Sequence, residues 1–189
     1  MSDTSLDDAP PILDATCSAK RAWPKVADVR LDVRAAAHPD VVASTTALPF
    51  PDRSFRTVYC DPPFNIYRSG TKRDLAIRAR EGEDYGRFGH WESRAAWLAW
   101  LGPTAREFYR VLDRGGRVHF KVSHGWRETG LTKGKLTGAS VPYTDVIWEL
   151  CAARFVLRED EVVSARGPFA GLKGSPPRVH YLNFLKVEL

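Results

Sequence analysis

Phe55-Arg56-Thr57-Val58-Tyr59-Cys60-Asp61-Pro62-Pro63-Phe64 is an apolar run that ends abruptly in an acid, two prolines and an aromatic. Its β-branched and aromatic residues suit a strand, and neither proline can donate to a ladder, so the chain must leave the sheet at Asp61. Outward from it, apolar runs at residues 11–15, 29–33, 40–43, 116–122, 155–164 and 178–187 read as the remaining strands. Two amphipathic stretches separate them. Residues 92–112 align Trp97, Leu101, Phe108 and Leu112, and residues 144–154 align Val146, Ile147, Leu150 and Cys151. Thr144 is placed to cap the second helix, and Pro103 to kink or split the first. The alternation predicts an α/β layered fold with seven strands.

The first half is short of helix. About 13 residues separate the first two strands and about six the next two, whereas a parallel crossover takes a dozen or more. At least one crossover therefore lacks a full helix, and one sheet face is expected to be thinly covered, with six tryptophans available to cover it or to form a partner surface. The 189 residues are 43% hydrophobic and 27% charged, which excludes wholesale disorder, a collagen-like repeat and a coiled coil. One domain over residues 11–189 is expected, behind a flexible leader at 1–10. No apolar run nears the ~20 residues that span a bilayer, and the acidic start lacks a signal-peptide pattern. Cys17, Cys60 and Cys151 are scattered, without disulfide or zinc spacing. The expectation is a cytoplasmic protein with no membrane partner and no metal.

Asp61, at the carboxyl end of a central strand, stands where open α/β sheets bind ligands. An exocyclic amine on a planar heterocycle is a poor nucleophile, because its lone pair is delocalised into the ring. If the Asp61 carboxylate and the Pro62 carbonyl accept its two N–H bonds, the nitrogen is drawn toward tetrahedral geometry and its lone pair leaves the ring plane. Phe64 can stack on the ring, while Pro63 shapes the turn so that the acceptors are in place beforehand. Methyl transfer to nitrogen suits this arrangement. No strong base is required, since the methylated amine is cationic and loses its proton readily. The same residues also serve a turn that merely ends a strand.

Flanking segments carry a family resemblance. Asp61-Pro62-Pro63-Phe64 follows Ile12-Leu13-Asp14-Ala15-Thr16-Cys17, Leu31-Asp32-Val33 and Ala47-Leu48-Pro49-Phe50-Pro51-Asp52-Arg53-Ser54-Phe55, and precedes Phe108-Tyr109-Arg110-Val111-Leu112-Asp113-Arg114-Gly115-Gly116. Together with Val179-His180-Tyr181-Leu182-Asn183-Phe184-Leu185-Lys186, these resemble the class I S-adenosylmethionine-dependent amino-methyltransferases of nucleic acids, in flavour the small phage and prokaryotic branch. The resemblance covers most of the chain, from about residue 11 onward. It implies a single-domain Rossmann-like methyltransferase with a mixed seven-stranded sheet, an antiparallel last strand and reduced helices in the N-terminal half. It further implies S-adenosyl-L-methionine as cofactor, bordered by Asp14, Ala15, Thr16, Cys17, Asp32, Ser44 and Thr45, with Asp61, Pro62, Pro63 and Phe64 catalytic. The acid at the Asp32 position binds the ribose hydroxyls in that family. Two positions depart from its pattern. Ser18-Ala19-Lys20-Arg21 replace the glycines that let backbone approach the cofactor, and Ser44 replaces an acid that meets its adenine.

In that topology three loops open on the edge that bears Asp61. Their cations outnumber their acids: Arg68, Lys72, Arg73, Arg78, Arg80 and Arg87 in residues 65–91, Arg127, Lys133 and Lys135 in 124–143, and Arg166, Lys173 and Arg178 in 165–180. Tyr67, Tyr85, Phe88, Trp91, Trp126 and Phe169 lie among them. A cationic rim with stacking groups suits a phosphate backbone and an extruded base, although loops also collect charge without such a role. Asn65, Arg68, Lys72, Arg73, Trp126, Arg127, Lys133, Arg166 and Lys173 are the candidate substrate contacts. DNA adenine N6 is the expected target. The alternatives are an RNA base or a non-catalytic methyltransferase-fold subunit that binds nucleic acid or an active partner; a protein amide fits less well, because related enzymes use Asn-Pro-Pro for it. Little chain remains for target recognition, so specificity falls to these loops, a second copy as a homodimer, or a partner subunit. His119, Lys121 and Lys186 lie in strand patterns and receive no catalytic role.

Overall fold

The computed structural model describes residues 10–17, 27–63, 65–66, 91–123, 139–140, 143–164 and 178–188. The strands are β1 (Ile12–Asp14), β2 (Val29–Asp32), β3 (Val41–Val42), β4 (Phe55–Cys60), β5 (Asn65–Ile66), β6 (Leu112–Ser123), β7 (Ala139–Ser140), β8 (Phe155–Ser164) and β9 (Arg178–Lys186). The helices are α1 (Arg94–Val111) and α2 (Tyr143–Ala152). Seven strands form one sheet in the order β3-β2-β1-β4-β6-β9-β8. The pairings from β3 through to β6 are parallel, and β9 is antiparallel to both β6 and β8. This is the expected mixed sheet with an antiparallel last strand, and β4, which ends at the Asp61 turn, is the fourth of seven. Outside the expected count, β5 and β7 form a two-stranded antiparallel ribbon that joins Asn65 to Ser140.

Strand alternation assigns the two faces. Val58, Val118 and Phe184 lie in one cross-strand row and Cys60, Phe120 and Leu182 in the next, all buried. They share a core with Trp97, Leu101, Ala105 and Phe108 of α1 and Val146 and Leu150 of α2, so the helices supply the apolar stripe this face needs. Tyr59 and His119 occupy the opposite face and stack with centroids 4.7 Å apart.

Ser93 caps α1 by accepting the Ala96 N–H at 3.1 Å. The helix continues through Pro103 instead of splitting there, because its apolar stripe is packed on both sides of the proline. Just before it, Gly102 allows a close approach to α2: a Cβ there would lie 3.1 Å from Glu149 Oε2. Thr144 is not the cap expected of it; α2 begins at Tyr143.

Among the described residues of the first half helix is scarce. Between β2 and β3 there is only a 3-10 turn, Ala35–Ala37, and residues 43–54 reach β4 without helix. Arg110 of α1 compensates by hydrogen-bonding this linker, donating to the Leu48 and Phe50 carbonyls at 2.9 and 2.7 Å and to Asp52 at 2.9 Å. Glu107 accepts the Leu48 N–H at 2.8 Å. Side chains thus satisfy backbone groups that a helix would satisfy internally. Lys186 is buried rather than solvated, its ammonium donating to the Leu112 carbonyl at 2.7 Å. No described helix is long and apolar enough to cross a membrane.

Candidate active site at the end of the central strand

Three acids end three adjacent strands: Asp32 on β2, Asp14 on β1 and Asp61 just beyond β4. Hydrogen bonds across strand ends hold this edge together. Ala15 N–H donates to the Tyr59 carbonyl at 2.9 Å, and Cys17 N–H to the Leu31 carbonyl at 3.0 Å. Thr16 links the first loop to the turn after β4: its hydroxyl accepts the Asp61 N–H at 2.6 Å, while its own N–H donates to Asp14 Oδ1 at 3.2 Å.

The Asp61 side chain is paired. Lys121 Nζ donates to Asp61 Oδ2 at 2.6 Å, and each side chain keeps 21% exposure. The register explains the contact. Cys60 faces Phe120, so one step on Asp61 meets Lys121, on the face opposite the helices. Burial pushes the Asp61 carboxyl up, and the Lys121 ammonium opposes this without cancelling it. Sequence reasoning passed over Lys121 because a lone lysine in an alternating strand has no signature; its link to Asp61 is a matter of register.

The turn is braced from α1. Pro62 is buried, and the Trp91 indole N–H donates to the Pro63 carbonyl. Trp91 packs edge-on against Trp97 and tilted against Trp100, at centroid distances of 5.4 and 5.1 Å, and Trp100 donates to Thr45 Oγ1 at 2.9 Å. These tryptophans therefore brace the turn on the helix side and do not cover the opposite face. Because Trp91 engages the Pro63 oxygen, Pro62 becomes the turn's candidate acceptor. Trp91→Phe keeps the packing and deletes the hydrogen bond. We expect Tm to fall by roughly 2–4 °C, and turnover to fall while methyl-donor affinity holds, as checked by melting curves and separate kcat and Kd measurements.

Asp14 is buried, and its carboxyl is pushed up to about 7 by desolvation and by the charges of Asp61 and Asp32, against the opposing Thr16 N–H and Arg30. Asp32 is engaged by Arg34: Oδ1 accepts from the Arg34 N–H and Nε, and Oδ2 from the guanidinium at 3.0 Å. Ser44 contacts Thr46 Oγ1 at 2.8 Å, and Thr45 is buried against Thr104 at 3.0 Å. Burial pushes the Cys17 thiol up to about 12, aided by Asp14 and Asp32, so it is no thiolate nucleophile at neutral pH. Phe64, Arg68, Lys72, Arg73, Trp126, Arg127, Lys133, Arg166 and Lys173 lie outside the described residues; of Asn65 only its place on β5 is described.

No protein-family model and no curated protein sequence matches the chain. Solved structures do match. A methyltransferase from Methanosarcina mazei, described as S-adenosylmethionine-dependent, aligns at TM-score 0.56 and 12% identity, over 97% of this chain and 95% of that one. A geranyl diphosphate C-methyltransferase from Streptomyces coelicolor A3(2) aligns at 0.56 and 10%, over 95% and 74%. A proposed DNA modification methylase from Thermus thermophilus aligns at 0.46 and 18%, over 78% of this chain and 52% of that one, so the chain spans about half its length. What these matches establish is architecture: the chain has the Rossmann-like fold found in S-adenosylmethionine-dependent methyltransferases.

Proposed function

We propose that the chain transfers a methyl group from S-adenosyl-L-methionine to an exocyclic amino nitrogen of a nucleic-acid base, adenine N6 in DNA being the first choice. One observation carries this reading: a half-buried carboxylate ends the central strand, inside a two-proline turn held by Thr16, Lys121 and Trp91. When bound, the cofactor supplies an electrophilic methyl on a sulfonium. The residues here fit such a cation, because Asp61 and Asp32 are paired with Lys121 and Arg34 whereas Asp14 has no ion pair among the described residues, and burial together with those two acids pushes its carboxyl up. Asp14 would face the cofactor's positive groups. Asp32 Oδ2 retains acceptor capacity for a hydroxyl beyond its bond from Arg34.

Asp61 and the Pro62 carbonyl would accept the two amine N–H bonds and turn the lone pair toward the methyl carbon. The sulfonium would supply the methyl and leave as the neutral thioether, and the proton of the methylated amine would pass to solvent. Phe64 would hold the ring plane, and the basic loops would hold the phosphates.

A second reading has its own support. Arg34 already engages Asp32, and Ser44 is turned to Thr46, so two of the expected cofactor contacts already have partners within the chain. A non-catalytic subunit with this fold would look the same. To separate the readings, the protein is incubated with methyl-labelled cofactor and pools of DNA, RNA and protein. Label in DNA is expected; label confined to protein, or absent from every pool, contradicts the proposal.

A further inference from the structure

Lys121 does more than balance Asp61. An ammonium carries three N–H bonds, and Asp61 Oδ2 takes one of them at 2.6 Å. The pair also keeps 21% exposure on each side chain, so neither member is sealed from a ligand. The turn therefore presents an acceptor and a donor side by side on one face of adjacent strands, just past the Cys60–Phe120 register pair. An acceptor next to a donor is the complement of an amidine edge, in which an exocyclic NH2 neighbours an unprotonated ring nitrogen. Adenine has that edge in N6 and N1.

We propose that Lys121 reads the ring nitrogen next to the target amine, donating to N1 of adenine while Asp61 accepts from N6. The inference rests on the base-methyltransferase reading above and deepens it, making Lys121 a substrate-contacting residue that requires a ring acceptor beside the amine, an edge that cytosine shares in N4 and N3. A base with no ring acceptor beside its amine leaves the ammonium without its second partner and incurs the desolvation of a charged donor. That loss is worth about tenfold or more in kcat/KM, by the usual strength of charge-assisted bonds.

The test uses two single-stranded DNA oligonucleotides that differ at one base, adenine against 1-deazaadenine, in which N1 is a C–H. Wild-type protein is expected to methylate the adenine oligonucleotide at least about tenfold more efficiently. In Lys121→Met the two rates should converge to within about threefold, whereas Lys121→Arg, which keeps a cationic donor, should retain most of the preference. Loss of the Asp61 counter-ion slows both substrates alike, so the ratio isolates the ring contact. Equal rates with wild-type protein overturn the role of Lys121 even if Lys121→Met fails to fold, and so does an unchanged preference in a folded Lys121→Met. Failure of the wild type to methylate either oligonucleotide overturns the underlying reading as well.

Discussion

Asp61→Ala should lower kcat for methyl transfer by about 10³-fold while methyl-donor affinity stays within about threefold. The magnitude follows from losing an electrostatic acceptor where charge develops on the amine, typically 10²- to 10³-fold, with the added cost of freeing the Lys121 ammonium from its partner. Asp61→Asn should fall less, by roughly 10- to 10²-fold, since an amide oxygen still accepts an N–H bond but carries no full charge. The pH profile gives an independent readout. Burial raises the Asp61 carboxyl above its ordinary value of 3.8, so wild-type turnover should fall as acid protonates it, and this acid limb should vanish in Asp61→Asn. Turnover, calorimetric affinity and a pH series measure the three effects; unchanged kcat in a folded Asp61→Ala removes the carboxylate from its role.

Asp14→Asn has the second-largest expected effect, and its sign differs between the ligand-free and bound protein. Desolvation and the nearby charges of Asp61 and Asp32 raise the Asp14 carboxyl from 3.8 to about 7, with Arg30 and the Thr16 N–H opposing. Its contribution to stability is therefore complete below about 3.8 and is lost as pH rises through 7. Asparagine removes that loss, so the ligand-free variant should melt at least about 3 °C higher at pH 8 and show a flatter pH dependence. Binding reverses the sign. A cationic donor needs the ionised carboxylate, so wild-type affinity should weaken up to about tenfold per pH unit below 7, and Asp14→Asn should bind about 10²-fold more weakly at pH 8. Calorimetry across pH 5.5–8.5 checks both slopes.

Features of unequal legibility underlie these effects. The sheet was readable because β4, β6, β8 and β9 are long apolar or alternating runs bounded by turn residues, and because two prolines can only follow the end of a strand. The lack of a full helix between β2 and β3 was readable by counting the residues that separate them. What escaped was pairing. Lys121 meets Asp61 through a register between strands about 60 residues apart, which no local pattern encodes. Lys186 has the same appearance in sequence but points into the structure, where the Leu112 carbonyl satisfies it. Trp91, grouped by sequence with the rim aromatics, instead braces Pro63, because α1 starts immediately after it and carries Trp97 and Trp100 alongside. Thr45 follows a strand end, as a cofactor contact would, but its hydroxyl is engaged by Thr104 and Trp100.

The most direct measurement of the central claim is the position of the methyl group in the product. DNA incubated with the protein and methyl-labelled cofactor is digested to nucleosides, which are resolved by mass spectrometry. N6-methyladenine is expected with wild-type protein, and its near absence with Asp61→Ala. A methyl on a ring atom, or one added to an amino nitrogen equally by both proteins, would contradict the role given to Asp61.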